Sequence, residues 1–381
     1  MDLTAILPCD WRAAVLLGRI ETADGPAPVL LRNGRLVDIS AFAPTTAMAL
    51  ARPDLAAAEG HDLGAVEDIR VATAWGDEGL ALLSPLDLQC IKASGVTFAV
   101  SALERVIEER ARGDAAAANA IRQGLLERIG GELKDLRPGS VQAEAVKAQL
   151  IADGLWSQYL EVAIGPHAEI FTKTPVLASV GAGAAVGVRA DSDWNNPEPE
   201  VVIVCDPAGR PVGASLGNDV NLRDIEGRSA LLLGKAKDNN ASAAVGPFIR
   251  LFDAGFSMDD VRAATVRLDV EGADGFVMMG ESSMRLISRD PEDLVTQTLS
   301  AHQYPDGFAL YLGTMFAPVE DRGEAGKGFT HKVGDRVRVS SERLGVLENI
   351  VVTCDRAPPW ILGVGGLMRN LAVRGLLGGV A

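Results

Sequence analysis

Residues 194–221 read WNNPEPEVVIVCDPAGRPVGASLGNDVN. The apolar run VVIVC is followed by the turn residues PAGRP and a second run, VGASLG, which predicts two strands folded back on each other. Side chains alternate along a strand, so Glu198 and Glu200 point to one face. The flanking prolines place this pair at a strand start or on a sheet edge. The return strand ends at Asp219, nineteen residues after Glu200, and carries a third carboxylate back beside the pair. Like charges on one face repel, and solvent, a basic side chain or a cation must offset them. Three converging carboxylates suit a hard cation such as Mg²⁺, which takes oxygen ligands octahedrally and keeps positions open for water or substrate. By spacing alone two other readings stand: a solvated strand, and a turn capped by Asp219 with Asn218.

Outward from this segment, residues 12–40 predict short strands, with Arg32-Asn33-Gly34 as a hairpin turn. A helix is expected near 44–57. Pro85-Leu86-Asp87 opens a new apolar segment, so a small β-rich N-terminal domain is expected over 1–82 and a catalytic domain over 83–381. Helices are expected over 101–112, about 115–129 and about 141–163. From residue 168 strands dominate, interrupted by helices near 258–264 and 290–301. The second of these has Asp290 as N-cap and Pro291 at its first position. FALYLGTMFAP at 308–318 predicts a buried strand leading into a Gly-Thr loop, and residues 333–354 predict a strand pair. An amphipathic helix closes the chain at 366–377.

The 381 residues are 48% hydrophobic and carry a net charge of −15. No Lys/Arg-rich run offers a footprint for nucleic acid or an anionic membrane. No apolar stretch reaches the ~20 residues of a membrane helix, and no signal peptide is read at the N-terminus. Cys9, Cys90, Cys205 and Cys354 form no CxxC pair and are expected to be buried, reduced thiols in a cytoplasmic protein.

The run LGNDVNLRDIEGRSALLLGKAKDNNASAAVGP at 216–247 resembles the signature of the fumarylacetoacetate hydrolase superfamily. The matching positions are Asp219, Arg223-Asp224, Lys237 and Gly246-Pro247, with Glu198 and Glu200 at the family's spacing before them. Gly313-Thr314 matches its late Gly-Thr loop, and the resemblance covers roughly residues 86–355. It implies an α+β, mainly β fold with a mixed β-roll core and peripheral helices. It also implies that Glu198, Glu200 and Asp219 bind Mg²⁺, with Mn²⁺ or Ca²⁺ as alternatives, and that Lys237 approaches the substrate. Relatives are dimers or tetramers, so a homodimer or homotetramer is expected. Hydrolytic members carry a His, with a Glu three residues on, at the positions of Ser101 and Glu104. None of His61, His167, His302 and His331 falls there, and water attack on a carbonyl loses its usual base.

Longer segments, among them GVTFAVSALERVIEERARGD at 95–114 and HQYPDGFALYLGTMFAP at 302–318, resemble the bacterial 2-keto-3-deoxy-pentonate dehydratases. That branch implies loss of water from 2-dehydro-3-deoxy-D-pentonate to give 2,5-dioxopentanoate. The alternatives are an acylpyruvate hydrolase or an oxaloacetate decarboxylase of the same superfamily, and a non-catalytic scaffold. On the dehydratase reading Glu104 is the candidate base and Lys237 neutralises developing charge. Ser101, Arg223, Gly313 and Thr314 are candidates for holding substrate. Each has a plainer alternative. Ser101-x-x-Glu104 fits a capping box, Arg223 fits an ion pair with Asp224 or Glu226, and Lys237 fits a solvated lysine. His302 reads as a surface residue, and Trp156 and Trp194 as core or lid aromatics.

Overall fold

The two strands expected from residues 194–221 form, and they lie near the middle of a large sheet rather than at its margin. The computed structural model describes residues 1–112, 136–154, 156–316 and 328–378, together with 114, 117, 118, 121, 318 and 320–322. In chain order the strands begin with β1 (Leu16–Thr22), β2 (Gly25–Arg32), β3 (Arg35–Asp38), β4 (His61–Ala65), β5 (Cys90–Gly95) and β6 (Glu169–Thr174). Next come β7 (Ala185–Val188), β8 (Asn195–Asn196), β9 (Pro199–Cys205), β10 (Pro211–Asp219), β11 (Asn221–Leu222) and β12 (Ala243–Leu251). The remainder are β13 (Thr265–Glu271), β14 (Val277–Ser283), β15 (Phe308–Tyr311), β16 (Arg336–Ser341) and β17 (Gly345–Thr353).

Among the described residues, ten strands form one sheet in the order β4-β3-β2-β1-β12-β10-β9-β15-β5-β6. Five more form a second sheet, β14-β13-β16-β17-β7. Both are mixed: β15 runs parallel to β5, and β17 parallel to β7, among antiparallel neighbours. This is the expected mainly β architecture. Strand β9 shows how the layers are made. Val201 and Ile203 enter the core shared with the second sheet, where Leu268, Val339 and Leu347 also lie. Val202 and Val204 face the opposite side, in a cluster covered by Ala43, Ala49 and Leu50. All four are fully buried, and each contributes roughly 1.5–3 kcal/mol. That burial holds the strand centrally although a proline begins it and glutamates flank that proline. Pro199 opens β9, where a missing N–H costs little. Glu200 shares the parity of Val202 within β9, and Glu198 immediately precedes the strand.

The β2–β3 hairpin closes as expected, with Asn33 and Gly34 both left-handed at φ 49° and 76°. Residues 1–82 are not set apart by a break in the sheet, since β1 pairs with β12 at Leu16↔Arg250. The helix expected over 44–57 is short, Thr46–Leu50, followed by a 3₁₀ turn at Leu55–Ala57. That expected over 141–163 is two helices, Val141–Ala152 and Gln158–Ile164. Gly154 turns left-handed at φ 67° and Ser157 caps the second, so periodicity carries across a break in the backbone. The helix expected over about 115–129 lies largely outside the described residues. Asp290 caps the helix Pro291–Leu299 as expected, and the terminal helix spans Val364–Val373. No described helix is long and apolar enough to cross a membrane.

Two expectations fail. Cys205 alone is buried: Cys90 and Cys354 are half-buried and Cys9 is exposed, though all four are free thiols. Spacing reports pairing and is silent on depth. The capping box at Ser101 and Glu104 does not form, because the helix begins two residues earlier and spans Ala99–Ala111. Ser101 lies within it, and its hydroxyl accepts from the Phe98 N–H and donates to the Phe98 carbonyl.

Candidate metal and acid–base centre

Strands β9 and β10 pair with Gly217 opposite Glu200 and Asn218 opposite Pro199. Asn218 Oδ1 accepts from the Glu198 N–H at 3.1 Å, which pins the end of the pair. Asp219 ends β10 and does not cap a turn. One oxygen from each of Glu198, Glu200 and Asp219 lies within 4.8 Å of the others, and all three residues are buried. They line a narrow cavity with Ser101, Arg105, Glu169, Glu226, Lys237 and Thr314.

The carboxylates are held by different means. Glu198 Oε1 pairs with Arg105 at 2.8 Å, while Oε2 pairs with Lys237. Burial works against its charge, but Lys237 and Arg105 outweigh burial and keep its pKa at about 2. Glu200 accepts from the Gly313 N–H at 2.7 Å and from the Thr314 hydroxyl at 3.4 Å. Burial first, then Asp219 and Glu198, push its pKa well above the ordinary carboxylate range. Asp219 meets Lys237 at 3.0 Å and Lys173 at 2.7 Å. Burial opposes the charge on Lys237, yet Asp219, Glu198 and Glu226 raise its pKa above the usual lysine value. Glu226 pairs with Arg105 in turn.

Five carboxylates, Glu169 included, thus surround three cations, leaving a formal charge of −2. The Lys237 ammonium lies between Glu198 and Asp219 in the manner of a cation. An acidic set of this kind, with Glu200 bearing an unfavourable buried charge, fits a divalent ion.

Glu169, which sequence reasoning missed, begins β6 directly opposite Gly95 on β5. Among the described residues its carboxylate takes no hydrogen bond or ion pair. Burial, followed by the nearby Glu226 and Glu198, raises its pKa to about 7 against the pull of Arg105 and Lys237. A carboxyl held near neutrality beside such a cluster is a candidate acid or base. Along β6, Glu169 and Lys173 sit at i and i+4 with Phe171 between them. In the sequence this alternation reads as an exposed strand face. Phe171 between two charges was the available signal that the face is covered.

Other expected site residues lie differently. Glu104 is buried one residue before Arg105 but does not line the cavity, whereas Ser101 does. The Gly313 N–H is spent on Glu200. Arg223 is wholly buried away from the cavity, donating to the Pro318 carbonyl at 3.2 Å with Trp194 beneath it. Asp224 binds Ser192 and Glu226 binds Arg105, so neither makes the ion pair considered for Arg223. Trp194 is a core residue, and Trp156 packs half-buried under Lys147. His302 is exposed and stacks on Tyr304. None of the four histidines lines the cavity.

No protein-family model matches the chain. Its fold is that of solved fumarylacetoacetate hydrolases. The enzyme of that name from psychrophilic Exiguobacterium antarcticum superimposes with a TM-score of 0.57 at 17% identity, covering 89% of this chain and all of its own. A 2-keto-3-deoxy-D-arabinonate dehydratase complexed with magnesium and 2,5-dioxopentanoate gives a TM-score of 0.61 at 20% identity, covering 89% of this chain and 99% of its own.

In sequence the chain is similar to the 2-keto-3-deoxy-pentonate dehydratases, as its longer segments suggested. A probable 2-keto-3-deoxyxylonate dehydratase of Haloferax volcanii is 30% identical over 196 residues, 51% of this chain and 64% of that protein. A 2-dehydro-3-deoxy-D-arabinonate dehydratase of Saccharolobus solfataricus is 33% identical over 158 residues, 41% and 51% respectively. The alignments therefore span less than two thirds of either relative.

Proposed function

We propose that this chain is a Mg²⁺-dependent hydro-lyase that converts 2-dehydro-3-deoxy-D-pentonate to 2,5-dioxopentanoate. The observation that carries the reading is Glu169, a carboxyl without a partner among the described residues, with a pKa near 7, beside a buried triad of cation ligands. The names of the sequence relatives support the reaction, and the magnesium and 2,5-dioxopentanoate complexed with a solved neighbour support cofactor and product. Fold alone would not choose the chemistry.

Held by Glu198, Glu200 and Asp219, Mg²⁺ would supply Lewis acidity to the keto and carboxylate oxygens of a 2-keto acid. Glu169 takes the C3 proton, replacing Glu104 as our candidate base. The C4 hydroxyl leaves as water with a proton, and a C3–C4 double bond forms. Loss of one proton from C5 and of the C5 hydroxyl proton, with reprotonation at C3 and C4, then yields the aldehyde. Ionised Glu169 performs the first step, and its protonated form can serve the leaving hydroxyl. Lys237 offsets negative charge developing on the substrate oxygens. Ser101 and Thr314, which line the cavity, orient the substrate. We place the enzyme in the cytoplasm, within pentose breakdown, as a homodimer or homotetramer.

The test is direct. The protein with Mg²⁺ and 2-keto-3-deoxy-D-pentonate should release 2,5-dioxopentanoate. Unchanged sugar acid, with acylpyruvates cleaved instead, would replace this reading with a hydrolase.

A further inference from the structure

We propose that Lys173 is a positioning residue that restricts Asp219 to one oxygen toward a bound cation, and so makes the centre favour Mg²⁺ over Ca²⁺. The proposal rests on the metal-dependent reading above.

Lys173 is fully buried. An ammonium in such a place needs an anionic partner and further acceptors. Its Nζ lies 2.7 Å from Asp219 Oδ1. That contact is an ion pair; the three ammonium N–H groups donate to the Lys237 carbonyl, to the Val220 carbonyl at 3.4 Å and to Ser242 Oγ at 3.5 Å. One side chain thus ties β6 to the end of β10, to the helix bearing Lys237 and to the start of β12. The backbone is built for this. Ile91 pairs with Thr174 and Lys92 with Thr172, so Lys173 is the extra residue of a β-bulge. A bulge re-aims a side chain that regular pairing would place otherwise.

Two ammonium groups grip Asp219, one at each oxygen, and their surroundings differ. Lys237 lines the cavity and bridges Asp219 to Glu198, so a cation entering between these carboxylates must displace it. Lys173 does not line the cavity. It is enclosed behind Asp219 by backbone carbonyls and remains in place. With Oδ1 held from behind, Asp219 offers the incoming ion Oδ2 alone. Mg²⁺ takes six single oxygens in a near-ideal octahedron, whereas Ca²⁺ takes more ligands and readily accepts a carboxylate through both oxygens. A carboxylate restricted to one oxygen favours the smaller ion.

The test measures binding of MgCl₂ and of CaCl₂ by calorimetry to the metal-stripped full chain without substrate. Wild type is compared with Lys173→Met and Lys173→Gln. In the methionine variant the Mg²⁺ dissociation constant, divided by that for Ca²⁺, should rise about tenfold or more, the lower end for loss of a ligand's supporting partner. The glutamine variant, which keeps a polar side chain of similar length but no charge beside Asp219, should shift the ratio in the same direction by less. Equal changes for both ions, or an unchanged ratio, would overturn the proposal. If the methionine variant does not fold, the glutamine variant decides, and a wild-type ratio there overturns it. If neither folds, Lys173 serves folding and the proposal falls. Wild type that binds neither ion would instead remove the metal reading itself.

Discussion

Gly95 faces Glu169 across the β5–β6 pair, and a Cβ at Gly95 would lie 1.9 Å from Glu169 Oε2. The carboxyl group fills the space that the missing side chain leaves. The glycine is needed for close approach, since its backbone is not left-handed. Gly95→Ala should therefore push the carboxylate aside while leaving the metal ligands untouched. A displacement of about 1 Å at a reacting group can cost roughly a hundredfold in rate. We expect kcat to fall by about that factor, with Mg²⁺ affinity, measured by calorimetry, unchanged. Wild-type turnover in this variant would show that the carboxylate need not occupy its place against Gly95.

Glu169→Gln keeps the shape of the side chain and removes its basicity. Loss of a general base costs roughly 10²–10⁴-fold in rate. We expect a loss in that range, a melting temperature unchanged or raised, since the variant removes an unfavourable buried charge, and no exchange of the substrate's C3 hydrogens with solvent deuterium. Glu104→Gln should retain both turnover and exchange. The opposite pattern would return the base to Glu104.

With Glu169 as the proposed base, its pKa is expected to set the acid limb of the rate profile. Its value in the fold, about 7, lies above the ordinary carboxylate value. As a base it must be ionised, so activity is present above its pKa and is lost as pH falls through it. A bound divalent cation favours the ionised form and can only lower this pKa. The fall in kcat should therefore begin at or below pH 7, and the Glu169→Gln residual rate should lack it. Full activity at pH 4 would rule out Glu169 as the titrating base.

Metal should act on stability as well as on rate. Glu200 and Asp219 repel each other inside the fold, and Glu200 is pushed toward its neutral form. A ligand that binds only the folded state at a hundredfold excess over Kd contributes about 2.7 kcal/mol. Adding Mg²⁺ to the stripped protein should raise the melting temperature, and EDTA should reverse the rise and abolish turnover. Glu200→Gln, still able to accept from the Gly313 N–H, should fold and lose the Mg²⁺-dependent rise. Full turnover in excess chelator would sink the metal reading.

The sequence by itself determined the strand pair at 194–221, because apolar runs around a Pro-Gly turn leave the chain few other ways to bury them. It brought three carboxylates together as well, though spacing alone did not say that they hold a cation. Glu198 and Glu200 share a face by strand parity, and antiparallel return brings Asp219 to their level. Local turn chemistry also sufficed for the Asn33-Gly34 hairpin and the Asp290 cap. Only the tertiary structure decided that the Glu169 carboxyl faces that centre. Glu169 lies on a strand that reaches the site by pairing with β5, and neither parity nor spacing says what covers a strand's face. It likewise decided that Arg105, and not Glu104, reaches the cavity. The helix begins at Ala99, and a shift of two residues turns a helix by more than half a turn. The fates of Gly313 and Lys173 were beyond the sequence for the same reason. Gly313 gives its N–H to Glu200, and Lys173 holds Asp219 from behind, through contacts between residues far apart in the chain. Local pattern fixes which atoms a strand presents, and packing fixes what those atoms meet.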